Sequence, residues 1–118
     1  MVRVKPGVAF TVIAPAGWMI LAALKRTARI LRVPLTITSA CDGVHSGPTD
    51  PHARGEAYDV RSHDLDPALR PKVLALMRVD LGTAGFYGAL EDAGTSNAHF
   101  HFQIRKGTVL SVEDFLAA

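Results

Sequence analysis

The hexapeptide His99-Phe-His-Phe-Gln-Ile104 constrains this chain more than any other stretch of its 118 residues. Its strict alternation has a period of two, the period of an extended strand. Phe100, Phe102 and Ile104 therefore fall on one face and His99, His101 and Gln103 on the other. The phenylalanines require a core on their side. Two imidazoles then stand together on the opposite face, an arrangement that repels if both are protonated but suits a metal or a developing anion. Taken alone, the hexapeptide would favour two exposed histidines on a solvated sheet face, so the rest of the chain has to decide.

Around this strand the sequence reads as a succession of short elements without repeats or low-complexity tracts. Met19, Ile20, Leu21, Ala23, Leu24, Ala28 and Leu31 recur at near-helical spacing, which predicts a helix from Gly17 to Leu31 that Pro34 ends. Its other side carries Lys25, Arg26, Arg29 and Arg32, a solvated basic face. Leu35 to Ser39 is β-branched and alternating, hence a strand. Ala40 to Arg54, with Gly43, Gly47, Pro48 and Pro51, reads as a long loop, and such loops tend to carry function. A strand from Glu56 to Arg61 follows, then a helix that opens at Asp66-Pro67 or Arg70-Pro71 and closes before Gly82. Phe86 to Leu90 is the next strand before His99–Ile104, and Ser111-Val-Glu-Asp114 has the form of a capping box opening a last short helix. Strands interleaved with helices and then paired predict an α+β fold, an antiparallel sheet with helices packed on one face.

Composition narrows the class. At 48% hydrophobic and 20% charged the chain is globular, and 118 residues make a single domain, 1–118. One cysteine, Cys41, forms no internal bridge. Thirteen basic against eleven acidic residues are too balanced to argue for nucleic-acid binding. The uncharged stretch from Pro6 to Leu24 has the outline of a membrane or export segment. Pro15 and Gly17 divide it, however, leaving no run of the roughly 20 apolar residues that a span needs. The expectation is no membrane span and no signal peptide, because cleavage at Ala14-Pro-Ala16 would remove apparent core.

The second chemical signal is Pro51-His52-Ala-Arg-Gly55-Glu-Ala57-Tyr-Asp59. His52 ends the loop and Asp59 sits in the strand after a glycine turn, so a reversal brings imidazole and carboxylate to one point. With His101 they make a His2Asp set, three N and O ligands that suit zinc at ~2.0–2.2 Å and leave a fourth position open, as catalytic sites do.

These residues resemble a known family. His52-x6-Asp59 with Gly55-x-Ala57 between, followed by Leu90-Glu91 and His99-x-His101, is similar to the zinc D-alanyl-D-alanine carboxypeptidases. That family includes vancomycin-resistance dipeptidases, phage endolysin peptidases and the Hedgehog signalling domain. Ile37-Thr-Ser39, Asp42-Gly-x-His45-Ser46, Asp59-Val-Arg61 and Leu81-Gly82 extend the likeness to small phage and prophage members, over roughly residues 6 to 106. The resemblance implies a Hedgehog/DD-peptidase fold, Zn2+ on His52, Asp59 and His101, Glu91 as general base and His99 beside the reacting carbonyl. It also implies a metallopeptidase (carboxypeptidase or endopeptidase) acting on peptidoglycan stem peptides or cross-links next to D-amino acids. Such an endolysin-like hydrolase is expected in the cytoplasm of the producing cell, reaching the cell wall through a partner such as a phage holin or tail assembly.

The chemistry agrees with these roles. Zinc lowers the pKa of its water towards ~7, and a carboxylate moves the proton to the leaving amine. Glu91 is the only glutamate near the end of the Phe86–Leu90 strand, so it can point into a site shared with the His99 strand, with Asp92 as the rival base. His99 or His45 could support an oxyanion. The chain departs from the family in having Asp50-Pro51-His52 instead of Ser-x-His, and Ser39-Ala-Cys-Asp42 where larger carboxypeptidases have Ser-Gly-Tyr-Arg. The second change leaves Arg54 and Arg61 as candidate contacts for a substrate carboxylate. His63 has no partner in the pattern and reads as surface. Two other classes compete: a zinc-binding structural or protein-interaction module without turnover, and a cysteine hydrolase using Cys41 with His45 or His52.

Overall fold

The computed structural model describes residues 1–42 and 47–118. Its elements run β1 (Val2–Val4), α1 (Pro15–Leu31), β2 (Leu35–Ser39), β3 (Ala57–Arg61), α2 (Arg70–Leu81), β4 (Phe86–Glu91), β5 (His99–Ile104) and α3 (Val112–Leu116). The five strands form one sheet in the order β1-β2-β3-β5-β4. Among these pairs β2–β3, β3–β5 and β5–β4 are antiparallel, whereas β1 lies parallel to β2, with Val2 opposite Leu35 and Val4 opposite Ile37. The fold is therefore α+β as expected, but its sheet is mixed rather than antiparallel throughout. A parallel pair needs a crossover, and α1 supplies it. Three residues with two valines carry no readable period, which is why β1 escapes a reading of the sequence alone.

α1 opens two residues before the expected Gly17, at Pro15. A first-turn proline has the right φ and has no N–H to leave unpaired. Ala16, Ile20, Ala23, Leu24, Thr27 and Ala28 form its buried stripe. It ends on Arg32 in the left-handed conformation, two residues before Pro34. Of the two openings expected for α2, the structure takes Arg70-Pro71. Across these helices Arg26 makes a two-toothed pair with Asp80, Nε to Oδ2 at 2.7 Å and the second nitrogen to Oδ1 at 2.8 Å. α1 and α2 pack on the sheet face carrying Ile37, Tyr58, Val60, Phe100 and Phe102, all buried, together with Val73 and Met77 of α2. Among the described residues no helix is long and apolar enough to cross a membrane.

One close approach positions the loop ahead of β3. A Cβ at Gly17 would collide with the Gly55 carbonyl oxygen, and one at Gly55 with the Val12 carbonyl oxygen. Gly55 also has φ +71°, which disfavours any larger residue. The start of α1 thus clamps the turn that follows His52, and Ala14 N–H donates to the Gly55 carbonyl at 3.2 Å.

Candidate metal centre

Strand register assembles the site on the sheet face opposite the helices. β3 and β5 pair with Asp59 directly across from His101, and Arg61 across from His99. β4 completes the row, with Glu91 across from His99 and Ala89 across from His101. Residues opposite one another share a face, so Asp59, His99, His101 and Glu91 are neighbours by construction. His52 reaches them from the turn of residues 51–55, where its N–H donates to Asp50 Oδ1 at 2.8 Å and its carbonyl accepts from Gly55 N–H at 3.1 Å.

The polar atoms converge on one carboxylate oxygen. Asp59 Oδ1 lies 2.8 Å from His101 Nδ1, 3.4 Å from His52 Nε2 and 3.8 Å from His99 Nε2. Glu91 Oε1 stands 3.4 Å from His99 Nε2 and 4.0 Å from His101 Nδ1. The other nitrogen of each ring is held by an oxygen: His52 Nδ1 by the Ala40 carbonyl at 2.9 Å, His101 Nε2 by Gln103 Oε1 at 2.7 Å, and His99 Nδ1 by the Asn97 carbonyl at 2.7 Å. The Gln103 amide is itself oriented, because its Nε2 donates to the Ile104 carbonyl. A ring nitrogen facing a carbonyl must carry the proton, so neutral His52 and His99 point the lone pair of Nε2 inward, whereas His101 faces an oxygen from both nitrogens and offers its Nδ1 lone pair only in the tautomer whose Nε2–H donates to Gln103.

That arrangement is a test of whether a cation fits, and the donor set passes it. His52, Asp59 and His101 each offer one ligand atom, and these atoms lie within 4.8 Å of one another. Ligands on a tetrahedral ion at ~2.0–2.1 Å stand about 3.3–3.4 Å apart, close to the 3.4 Å between His52 Nε2 and Asp59 Oδ1, whereas His101 Nδ1, at 2.8 Å from the same oxygen, stands at hydrogen-bond distance and would move outward to bind. The rings are oriented by oxygens behind them, as metal-binding histidines usually are. His52 is 6% and His101 9% exposed, so water competes little.

Without a cation the same atoms hold protons. Burial alone would raise the Asp59 carboxyl, but hydrogen bonds from His101 and His52, with their charge, outweigh it and hold the group well below the usual carboxylate range. Burial alone would lower both imidazoles. The bonds and charge of Asp59, with the Ala40 carbonyl for His52 and Gln103 for His101, more than reverse this and raise both. A proton then stands where each ligand bond would form.

Two cavities flank the cluster. One of about 380 Å³ is walled by Lys5, Arg61, His63, Asp59, His99 and the segment 96–98. The other, about 360 Å³, has Tyr87, Glu91, His101, Gln103, Arg105 and Lys106 on its walls.

The expected site residues sort clearly. His52, Asp59, His99, His101 and Glu91 come together. Asp92, the rival to Glu91, turns away: it has φ 53°, and its side chain and carbonyl bind Asn97 and Thr95 within the β4–β5 turn. Arg61 lines the first cavity, whereas Arg54 pairs with Glu56 at 2.9 Å and lines neither. His45 lies outside the described residues. The Cys41 thiol donates to the Val12 carbonyl at 3.4 Å, and no Cys–His pair forms among the described residues. Three contributors were not anticipated. His63, read as surface, and Lys5 share the wall with Arg61, and Gln103 orients His101. For Gln103 a signal existed, since it shares the histidine face of the hexapeptide; nothing local marks Lys5 or His63.

No protein-family description, curated protein or solved structure matches the chain.

Proposed function

We propose that the chain is a zinc-dependent peptidase of the D-alanyl-D-alanine carboxypeptidase kind, with the Hedgehog/DD-peptidase fold, hydrolysing peptidoglycan stem peptides or cross-links next to D-amino acids. The observation that carries the reading is the convergence of His52 Nε2, Asp59 Oδ1 and His101 Nδ1 with a carboxylate that is not one of the three, Glu91, 4.0 Å from His101 Nδ1. Two imidazoles and one carboxylate are a donor set that zinc favours, and three protein ligands leave room for water. Bound there, the ion would acidify that water and polarise the substrate carbonyl.

The remaining work falls to the chain. Glu91 accepts the proton of the attacking water and delivers it to the leaving amine, so that hydroxyl ends on the acyl carbon and hydrogen on nitrogen as the C–N bond breaks. His99, with Nδ1 tied to the Asn97 carbonyl, presents Nε2 to Glu91 and to the space where the reacting carbonyl would sit. When that nitrogen carries a proton it can donate to the developing oxyanion. The substrate of this reading lies outside the cell membrane, and a phage holin or tail assembly is the kind of partner that would bring the chain to it.

The test separates an enzyme from a zinc-binding module. Glu91→Gln should keep the fold and the zinc and lose about 10²- to 10⁴-fold in turnover, the contribution of one proton-transfer group. Metal analysis paired with mass spectrometry of digested muropeptides reads both quantities. A parent protein that holds zinc and cleaves no muropeptide would favour the module.

A further inference from the structure

Charge is sorted between the two faces of the sheet. Asp59 and Glu91 stand on the open face, whereas α1 and α2, on the other, hold one acid between them, Asp80, and Arg26 takes both of its oxygens. In α1 the stripe from Ala16 to Ala28 is buried, so Trp18, Lys25 and Arg29, seven and four residues apart, fall on the outer side, and Arg32 follows at the cap. In α2, Val73 and Met77 face the sheet, which turns Lys72, Ala75 and Val79 outward. Arg70 and Arg78 are spent on backbone carbonyls, of Ser62 and Leu65 and of Gly88. The ion pairs of arginine or lysine among the described residues involve Arg26, Arg54 and Arg61, and leave Lys25, Arg29, Arg32 and Lys72 unpaired. Between these cations stand apolar side chains in water, Trp18 at 52% and Val79 at 83% exposure.

We propose that the outer face of the α1–α2 layer docks on a bilayer surface that carries anionic phospholipid, with Lys25, Arg29, Arg32 and Lys72 at the headgroups and Trp18 and Val79 in the boundary beneath them. Charge complementarity selects an anionic partner, and the apolar side chains select which one. A polyanion in solution would use the cations and gain nothing from Val79. A bilayer uses both, because it offers phosphates above and hydrocarbon below. The long stems of lysine and arginine let the charge stay at the phosphates while the helix settles lower, and a tryptophan ring with its one N–H suits that depth. The contact is peripheral, since no helix among the described residues is long and apolar enough to cross. Docking of this kind is independent of the peptidase reading, yet the geometry relates the two. The helices would lie between the lipid and the sheet, so the metal cluster opens away from the bilayer.

Trp18 is the one tryptophan of the chain, and its emission reports the contact directly. Vesicles of phosphatidylcholine alone, and of phosphatidylcholine with an equal part of phosphatidylglycerol, are titrated into the full chain, with emission and cosedimentation as readouts. Anionic vesicles should shift Trp18 emission to shorter wavelength and carry the protein down. Partition into neutral vesicles should be at least about 10-fold weaker, and salt at about 0.5 M should remove most of the difference. Lys25→Gln combined with Arg29→Gln should weaken partition into anionic vesicles about 10- to 50-fold, and Val79→Ser alone about 3- to 10-fold, with zinc content and melting temperature unchanged at these exposed sites. Equal partition into both kinds of vesicle, or into neither, would overturn the proposal. So would binding of soluble polyphosphate that the Lys25 and Arg29 variant loses while vesicles leave Trp18 emission unmoved, a result that assigns the face to a polyanion.

Discussion

The two faces of β3 and β5 are built from alternate residues of the same strands, yet they obey different physics. One face carries Tyr58, Val60, Phe100 and Phe102, each fully buried, and it depends on area removed from water and on tight packing. The other carries Asp59, His99, His101 and Gln103, where direction matters more than area: His99 is pinned through Nδ1 by the Asn97 carbonyl, and His101 is held between Gln103 and Asp59. The core face can exchange one apolar shape for another at modest cost. No such exchange exists for the site face. One residue of slip in register would swap the two faces, so the core that Phe100 and Phe102 demand is also what places His99 and His101.

The largest effect should come from the core side. Phe102→Ala removes a fully buried ring and should cost about 3–5 kcal/mol, read as a lower urea midpoint, with zinc binding and activity lost only as the fold is lost. A variant that stays as stable as the parent but loses metal would break the separation between the faces. A smaller effect sharpens the other side. Gln103→Ala leaves His101 Nε2 without its acceptor and should weaken zinc binding about 10- to 100-fold, the usual contribution of a group behind a ligand, with activity recovered by added zinc and little change in the metal-free melting temperature. Unchanged zinc affinity would show that Gln103 does not set the ring's orientation.

The smallest expected effect concerns pH. With zinc removed, the raised imidazoles of His52 and His101 contribute stability that is complete below their ordinary value near ~6.5 and is lost as pH rises through their folded values. The depressed Asp59 carboxyl contributes stability above its ordinary ~3.9 that is lost as pH falls towards its folded value. The metal-free protein should therefore owe most to this cluster between about pH 4 and 6.5. Zinc needs unprotonated ligands, so the stabilisation it adds should grow with pH over the range where the protons' share fades. Melting curves with chelator and with zinc, from pH 5 to 8, check this: the gap should widen upward, and parallel curves would contradict it.

Much of this was legible in sequence, for reasons that can be named. The β5 alternation separates the core face from the histidine face without help, and Asp59 and His52, which a glycine turn joins from loop to strand, make the histidine face a candidate site. Glu91 and Asp92 could not be told apart, since one extra strand residue decides between them; the positive φ of Asp92 sends its side chain into the β4–β5 turn. Lys5 and His63 were invisible because the wall they share joins the end of β1 to the segment after β3, across a parallel pairing that no local pattern announces. The Ala40 and Asn97 carbonyls that orient His52 and His99 are backbone atoms, and residue types say nothing about them.

The most direct test of the metal centre as an engine of hydrolysis is a zinc titration of the chelated protein, with muropeptide cleavage measured at each addition. Activity should be absent at the start, rise in proportion to zinc and level off at one equivalent per chain. Full cleavage by the zinc-free protein, or one tightly bound equivalent with no cleavage at any point, would contradict the account.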